Sequence, residues 1–476
     1  MLEPLVVSTP CHENLSAARR WGPVHNLVDF AAWLLACVLG RAFATLSLGS
    51  PRWSYRQSID RSFQLLLATA AIACVGWGCG QINSGCEAGA CPVGYACDQA
   101  TGLCRLGDHS NSAQPRLFGR FALVARPAGG LLIAGYSPER QSLVAFDGKS
   151  AAFLAGPAAN AGEQPAGQNV AAAQDSNGVA YIAWIRPSDH VAFLATGSGT
   201  QWQSAQIDKL GAVTSPLAIA LVDGQPTVAL RTIGASGIVV AQQQSAGQWS
   251  VTPVPMPAGP RKGSAPSTDF GRSLAMVAMP SGLAISAYDA THGDLVLAVR
   301  TAGEWDSLRI AGVDLVTGVD TGDTGDPCAL ALAPDGALLV AYRDRTLGEI
   351  RLARVAGSAV VSRTVVNGAL PGPAGTVTPQ WVGTELALGV RADGRAAVAW
   401  FNGSTWRANL ALQRLNGSFD PATAALAGNA GNLQLWPNLT VASDGAIRLA
   451  WIEVGRGRLP SAAHLTTAQL APGSWP

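Results

Sequence analysis

The stretch YRDRTLGE, residues 342–349, brings Tyr342, Arg343, Asp344, Arg345 and Glu349 within eight positions. Glycoside hydrolysis uses a pair of carboxyl groups, one as acid and one as base or nucleophile, and in some enzymes a tyrosine takes the nucleophile's part. Arginines beside them would hold a substrate carboxylate through paired hydrogen bonds. Asp344, Glu349, Arg343 and Arg345 are therefore the catalytic candidates. Tyr342 falls on a position that recurs along the chain as strand core, and it is read as packing.

Other chemistry-bearing residues gather in short loops of the same kind. RPSDH supplies Arg186, Asp189 and His190, DATHGD supplies Asp289, His292 and Asp294, and EVGRGR supplies Glu453, Arg456 and Arg458. These are the candidate ligand-binding residues, against the plainer reading of charges that only solvate loops. DLVTGVDTGDTGD carries Asp314, Asp320, Asp323 and Asp326, an oxygen-rich run that Ca²⁺ favours, although it lacks the glutamate of a helix-loop-helix calcium site. A solvated loop is its default reading, and no other cofactor is expected. The six histidines show no paired spacing that would hold zinc, and no nucleophile-elbow or phosphate-loop pattern occurs in a suitable context. Cys328 reads as a small buried hydrophobe.

Which elements position these loops follows from composition and repetition. The 476 residues carry a net charge of +1, which gives no electrostatic footprint for nucleic acid. Charged residues make up 13%, about half the usual share, while 54 Gly and 29 Pro punctuate runs of Ala, Val and Leu. Short strands joined by turns are implied. Anchored on the glycine of the turn, seven copies of one strand align: GGLLIAGY, NGVAYIAW, DGQPTVAL, SGLAISAY, DGALLVAY, DGRAAVAW and DGAIRLAW. Five residues after the anchor stands a small residue, such as Ala183, Ala341 or Ala399, and six after it a large one, such as Trp184, Tyr342 or Trp400. Each copy has an apolar strand before it and two after it, so the unit is a four-stranded antiparallel meander. One meander leaves an apolar face bare, whereas radial stacking covers every face.

The expected fold is therefore all-β, a seven-bladed β-propeller over residues 116–476. Segments such as YDATHGDLVLAVRTAGEWDSL and YRDRTLGEIRLARV resemble bacterial sialidase-like propeller repeats. That resemblance implies a ligand over the central channel, on the face that carries the loops between second and third strands. It also implies a runner-up activity, sialidase-like hydrolysis or a polysaccharide lyase, beside the leading expectation of non-enzymatic recognition of a glycan or protein. A purely structural envelope protein is the third class. STDFGRSL, residues 267–274, is similar to the sialidase Asp-box but stands ahead of an inner strand and is read as a turn. The last blade is expected to borrow its outer strand from residues 114–118, and a monomer is expected.

Ahead of the propeller, residues 1–60 have no assigned fold. Residues 61–79, with Arg52, Arg56 and Arg61 before an apolar run shorter than a bilayer core, follow the pattern of an export signal. Its end resembles a bacterial lipobox, which implies lipidation at Cys79, with Cys74 the alternative, and a membrane reached through that anchor. Location would then be the outer membrane or cell surface, otherwise the periplasm or the medium. Residues 80–106 hold Cys86, Cys91, Cys97 and Cys104 in a segment too small for an apolar core. In an oxidising compartment two disulfides are favoured over a metal, each contributing about 2–4 kcal/mol. The spacing resembles Cys-rich modules of bacterial surface lipoproteins and small EGF-like knots, which implies Cys86–Cys97 and Cys91–Cys104. The module reads as a rigid spacer more than as a recognition unit, and residues 107–115 as a linker.

Overall fold

The structure is a computed structural model. It describes the backbone of Tyr95–Asp98 and Leu103–Leu106 and, from 117 to 470, all residues except 118, 128, 138–141, 148–150, 154–169, 187–188, 235–236, 261–263, 315, 318, 368, 372–376, 380–381, 421–431 and 456–463. The N-terminal extension, the signal segment with Cys74 and Cys79, Cys86, Cys91, the linker, Arg456 and Arg458 lie outside the described residues.

Seven antiparallel sheets follow one another along the chain. Their inner strands are Ala122–Ala125, Val170–Gln174, Val213–Val222, Phe270–Met279, Thr324–Leu332, Val382–Val390 and Asn432–Val441, which open blades 1 to 7. Blades 1 to 6 have four strands each in simple meander order, and blade 7 has three among the described residues. A small extra hairpin, Ala369–Pro371 with Val377–Pro379, sits in the connection from blade 5 to blade 6.

Apolar burial divides into seven clusters, and each joins one blade to the next. The last joins blade 7 to blade 1, with Ile452, Val454 and Leu465 against Leu123, Ile133 and Phe146. Asn438 Nδ2 donates to the Phe121 carbonyl at 3.0 Å across this seam, and Arg448 donates to the Gly130 carbonyl. Of residues 114–118, from which a closing strand is expected, only Leu117 is described. It is not in a strand; its side chain, 1% exposed, plugs the blade 7 to blade 1 cluster.

The small-then-large pattern has a direct structural meaning. In blade 5 Ala341 faces blade 6 and Tyr342 faces blade 4, and in blade 6 Ala399 faces blade 7 and Trp400 faces blade 5. Blade 4 breaks the alignment. Its first turn has only two residues between Met279 and Gly282, whereas Leu332 pairs with Leu338 in blade 5. This offset of the glycine anchor turns every following side chain to the opposite face. Ala287 thus faces blade 3, and Tyr288 is aimed toward blade 5.

The hairpin of the Cys-rich segment places Cys97 directly opposite Cys104. Opposed strand positions have Cα atoms about 4.5–5.5 Å apart, within disulfide range. The backbone register is compatible with a Cys97–Cys104 bridge, an alternative to the pairing the EGF-like resemblance implies. Non-reduced peptide mapping should recover the Cys97 and Cys104 peptides joined; recovery of Cys91 with Cys104 would restore the other pairing.

Close packing at the blade interfaces has its own test. Ala341 is fully buried against blade 6. Ala341→Leu should lower stability by about 1–3 kcal/mol through overpacking, read as a lower urea midpoint with unchanged slope. An unchanged midpoint would show a looser interface.

Candidate functional site: the mouth of the channel

The inner strands enclose a channel with a cavity of about 320 Å³, lined by residues of blades 2 to 7 and by Arg120 and Phe121 just ahead of blade 1. The lining is mostly apolar, with Leu217, Ile219, Leu274, Met276, Leu330 and Leu439 among its residues, and its two charged members are Arg120 and Glu385. Arg120, just ahead of blade 1, reaches Glu385 of blade 6 with Nη2 at 3.0 Å and Nε at 3.3 Å from Oε1. Burial pushes the Glu385 carboxyl above the usual range, and Arg120 opposes part of that shift.

Repeated irregularities bring polar groups to this mouth. The inner strands of blades 3 to 7 each lose register near their first residues, between Thr214 and Leu217, Phe270 and Leu274, Thr324 and Cys328, Val382 and Leu386, and Leu435 and Asn438. In blades 4, 5 and 6 the bulge holds Gly271, Gly325 and Gly383, all at positive φ. A Cβ on Gly271 would stand 2.6 Å from Ile238 Cγ1 of the preceding blade, so only glycine lets the strand pass. Arg272, Asp326 and Thr384 follow these glycines, and the next residues, Ser273, Pro327 and Glu385, line the channel.

Around the bulges a charged network spans blades 3 to 5. Arg231 donates to Asp269 at 2.8 Å, and Arg272 Nε meets the other oxygen of Asp269 at 2.6 Å. Tyr288 donates to Asp323 at 2.9 Å, and Arg345 reaches both Asp323 at 3.4 Å and Asp326 at 2.6 Å while lying 6.0 Å from the Tyr288 ring centroid. Burial first, then the bond to Asp323, pushes the Tyr288 hydroxyl up to about 12. Near neutral pH Tyr288 holds its proton and is a donor, not a ready nucleophile.

The residues singled out in sequence are dispersed. Asp326, Asp323 and Arg345 belong to the network; Arg343 lies beside it, between blades 5 and 6. Asp344 is buried and caps its own turn by accepting from Leu347 N at 2.8 Å, and Glu349 accepts from Thr364 and Arg351 on the blade. Tyr342 is core, 2% exposed, with its hydroxyl 2.9 Å from Ser362 Oγ. Arg186 and Asp189 form an exposed ion pair with Arg186 over the Phe193 ring, and His190 is exposed beside them. Glu453 is 2% exposed and accepts from Thr466. Asp314 and Asp320 cap their own loop, so the four aspartates of the calcium-like run do not come together. Sequence reasoning missed Arg120, Arg231, Asp269, Arg272, Tyr288 and Glu385; the recurring glycine just inside the inner strand, in FGRS, TGDP and VGTE, is the signal that marks the mouth.

Asp289, His292 and Asp294 form the one group among the described residues whose ligand atoms, within 4.8 Å of one another, suit a metal ion. Arg309 already stands where a cation would. It bonds Asp289 at 2.8 Å and Asp294 more closely still. Asp289 also accepts from Ser267 at 2.7 Å and lies 2.9 Å from His292 Nδ1, and neither aspartate has more than 1% of its surface exposed. The cluster is a buried tie that joins the blade 4 loop to the outer strand of the same blade, through Arg309, and to the connection ahead of the blade, through Ser267. Burial lifts the Asp294 carboxyl to about 6, against the pull of Arg309, whereas the bonds from Ser267, His292 and Arg309 outweigh burial at Asp289 and hold it low.

Fold and mouth together define a closed β-propeller with a charged, asymmetric channel entrance. No protein-family model matches the chain, and no curated protein matches it. Among solved structures the chain is similar to the SapL1 lectin in complex with alpha methyl fucoside, at 11% identity over 64% of this chain and 96% of that one, TM-score 0.38. It is similar to an ulvan lyase, at 12% identity over 76% and 95%, TM-score 0.46. It is also similar to puromycin hydrolase, at 18% identity over 75% of this chain and about half (54%) of that one, TM-score 0.43. Likeness at this level carries no argument about ligand or chemistry here.

The sign of the Asp294 shift sets a pH dependence. The folded state holds this proton up to about pH 6, whereas the unfolded chain releases it near pH 4. The contribution to stability is complete below about pH 4 and is lost as pH rises through about 6. Relative to wild type, Asp294→Asn should therefore gain stability between pH 4 and pH 7, by about 1–3 kcal/mol, in urea titrations at both pH values. Parallel wild-type and variant curves would show that Asp294 is ionised throughout.

Proposed function

We propose that this propeller is a recognition platform for a glycan, seated over the channel mouth and bound without bond cleavage, on an exported and lipid-anchored protein. The observation that carries the reading is the convergence at one entrance of Arg120, Arg231, Arg272 and Arg345 with Asp269, Asp323, Asp326 and Glu385. Interleaved donors and acceptors suit a polyhydroxylated ligand, because each sugar hydroxyl both donates and accepts. Catalysis is disfavoured because Asp269, Asp323 and Asp326 are each already bonded to an arginine, and the tyrosine that meets a carboxylate keeps its proton.

One observation favours the second reading, a glycoside hydrolase or lyase. Glu385 has its carboxyl raised by burial and lines the mouth, the disposition of a general acid.

Glycan-array binding followed by calorimetry, with aryl-glycoside and polysaccharide turnover assayed in parallel, separates the two. The platform predicts binding without turnover, weakened about tenfold or more by Arg272→Ala or Arg345→Ala, through loss of charged hydrogen bonds. Turnover that disappears in Glu385→Gln would replace the platform with the enzyme.

A further inference from the structure

One arginine at the mouth departs from the pairing of its counterparts. Three consecutive blades set a polar side chain at the same position of the second strand, one residue beyond the one that faces the preceding blade: Arg231, Tyr288 and Arg343. The first two each point toward the next blade and find an aspartate placed one residue ahead of its inner strand, Asp269 at 2.8 Å and Asp323 at 2.9 Å. Arg343 also points toward the next blade, where a Cβ on the bulge glycine Gly383 would lie 3.7 Å from its own. The residue ahead of that inner strand is not an acid but Trp381.

Among the described residues Arg343 consequently has no counter-charge of its own. Its Nε is buried without a hydrogen-bond partner. Asp323 and Asp326, the acids it senses, are taken by Tyr288 and Arg345. Burial, together with repulsion from Arg345, depresses the affinity of the guanidinium for its proton. A half-buried cation whose Nε lacks a partner is costly for the free protein and is relieved by an anion, which can take two parallel hydrogen bonds and the charge together. A sugar hydroxyl could fill the hydrogen bonds but not the charge.

We propose that Arg343 receives an oxyanion of the ligand, a carboxylate or sulfate, so that the glycan bound at the mouth is an acidic one. The inference deepens the glycan reading and rests on it. In effect the ligand supplies the acid that blades 4 and 5 supply as Asp269 and Asp323.

The test is calorimetric titration of the full chain with a uronate oligosaccharide, a sulfated oligosaccharide and a neutral oligosaccharide of equal length. Wild type should bind one of the two acidic ligands at least tenfold more tightly than the neutral one, and the better of the two identifies the oxyanion. Arg343→Gln should erase that preference while leaving neutral binding within twofold, and Arg343→Lys, which keeps the charge but not the fork, should restore part of it. Equal affinity for acidic and neutral ligands, or a preference that survives in Arg343→Gln, would overturn the inference. If no oligosaccharide binds, the glycan reading fails, and glucuronate and inorganic sulfate decide the role of Arg343 by themselves. A rise in wild-type melting temperature with either, absent in Arg343→Gln, supports anion capture; a rise in both proteins or in neither rejects it. Removal of a half-buried charge without an ion pair should leave the ligand-free Arg343→Gln protein at least as stable as wild type, so the variant is testable.

Discussion

Each sheet of this ring has two apolar faces and no means of covering either alone. The seven separate clusters, one at each blade interface and none shared between distant blades, show burial distributed around the circle with no common centre. Seam stability therefore depends on neighbours meeting at close range, which the alanine on one face permits and the aromatic on the other fills. At the closing seam Leu117, ahead of blade 1, adds to the apolar contact between blades 7 and 1.

The channel mouth inherits its asymmetry from that packing rule. At the position beyond the repeated large residue, blades 2, 6 and 7 place Ile185, Phe401 and Ile452, which extend the apolar interface to the rim. Blades 3, 4 and 5 place Arg231, Tyr288 and Arg343 there, so the interface ends earlier and polar chemistry begins. The shortened turn of blade 4 is what puts a tyrosine in this row. Without the one-residue offset, Tyr288 would lie in the core as Tyr342 does, out of reach of Asp323. A change in a turn at the far end of the strand thus alters the chemistry at the near end.

The ring, the strand order and the face that carries the loops were legible in the sequence because they rest on periodicity, which repeats seven times. The mouth was legible only in part. Loop charges such as Asp344, Glu349 and Glu453 drew attention by composition, yet a strand alternates its side chains, and these turn into caps and blade contacts. Arg120 and Glu385 are 265 residues apart, and no local pattern announces that they meet. Asp269 and Arg272 sit in a stretch whose likeness to an Asp-box pointed to a turn, and the bulge that aims them at the channel is visible only once the register is known.

Two charged clusters a few residues apart show how burial separates a tie from a site. At Asp289, His292, Asp294 and Arg309 every carboxylate is enclosed and the arginine between them closes the group, so a ligand would have to break bonds to enter. At the mouth Arg272 is 58% exposed, Arg345 40% and Asp323 41%, so the same kinds of pair face water and their exchange for ligand contacts is nearly balanced. Screening makes such pairs inexpensive to open, whereas Arg343 has no ion pair to open among the described residues. For the acidic glycan we propose, affinity would accordingly come from Arg343, and selectivity from the paired charges around it, since a ligand that fits must match their alternation of sign.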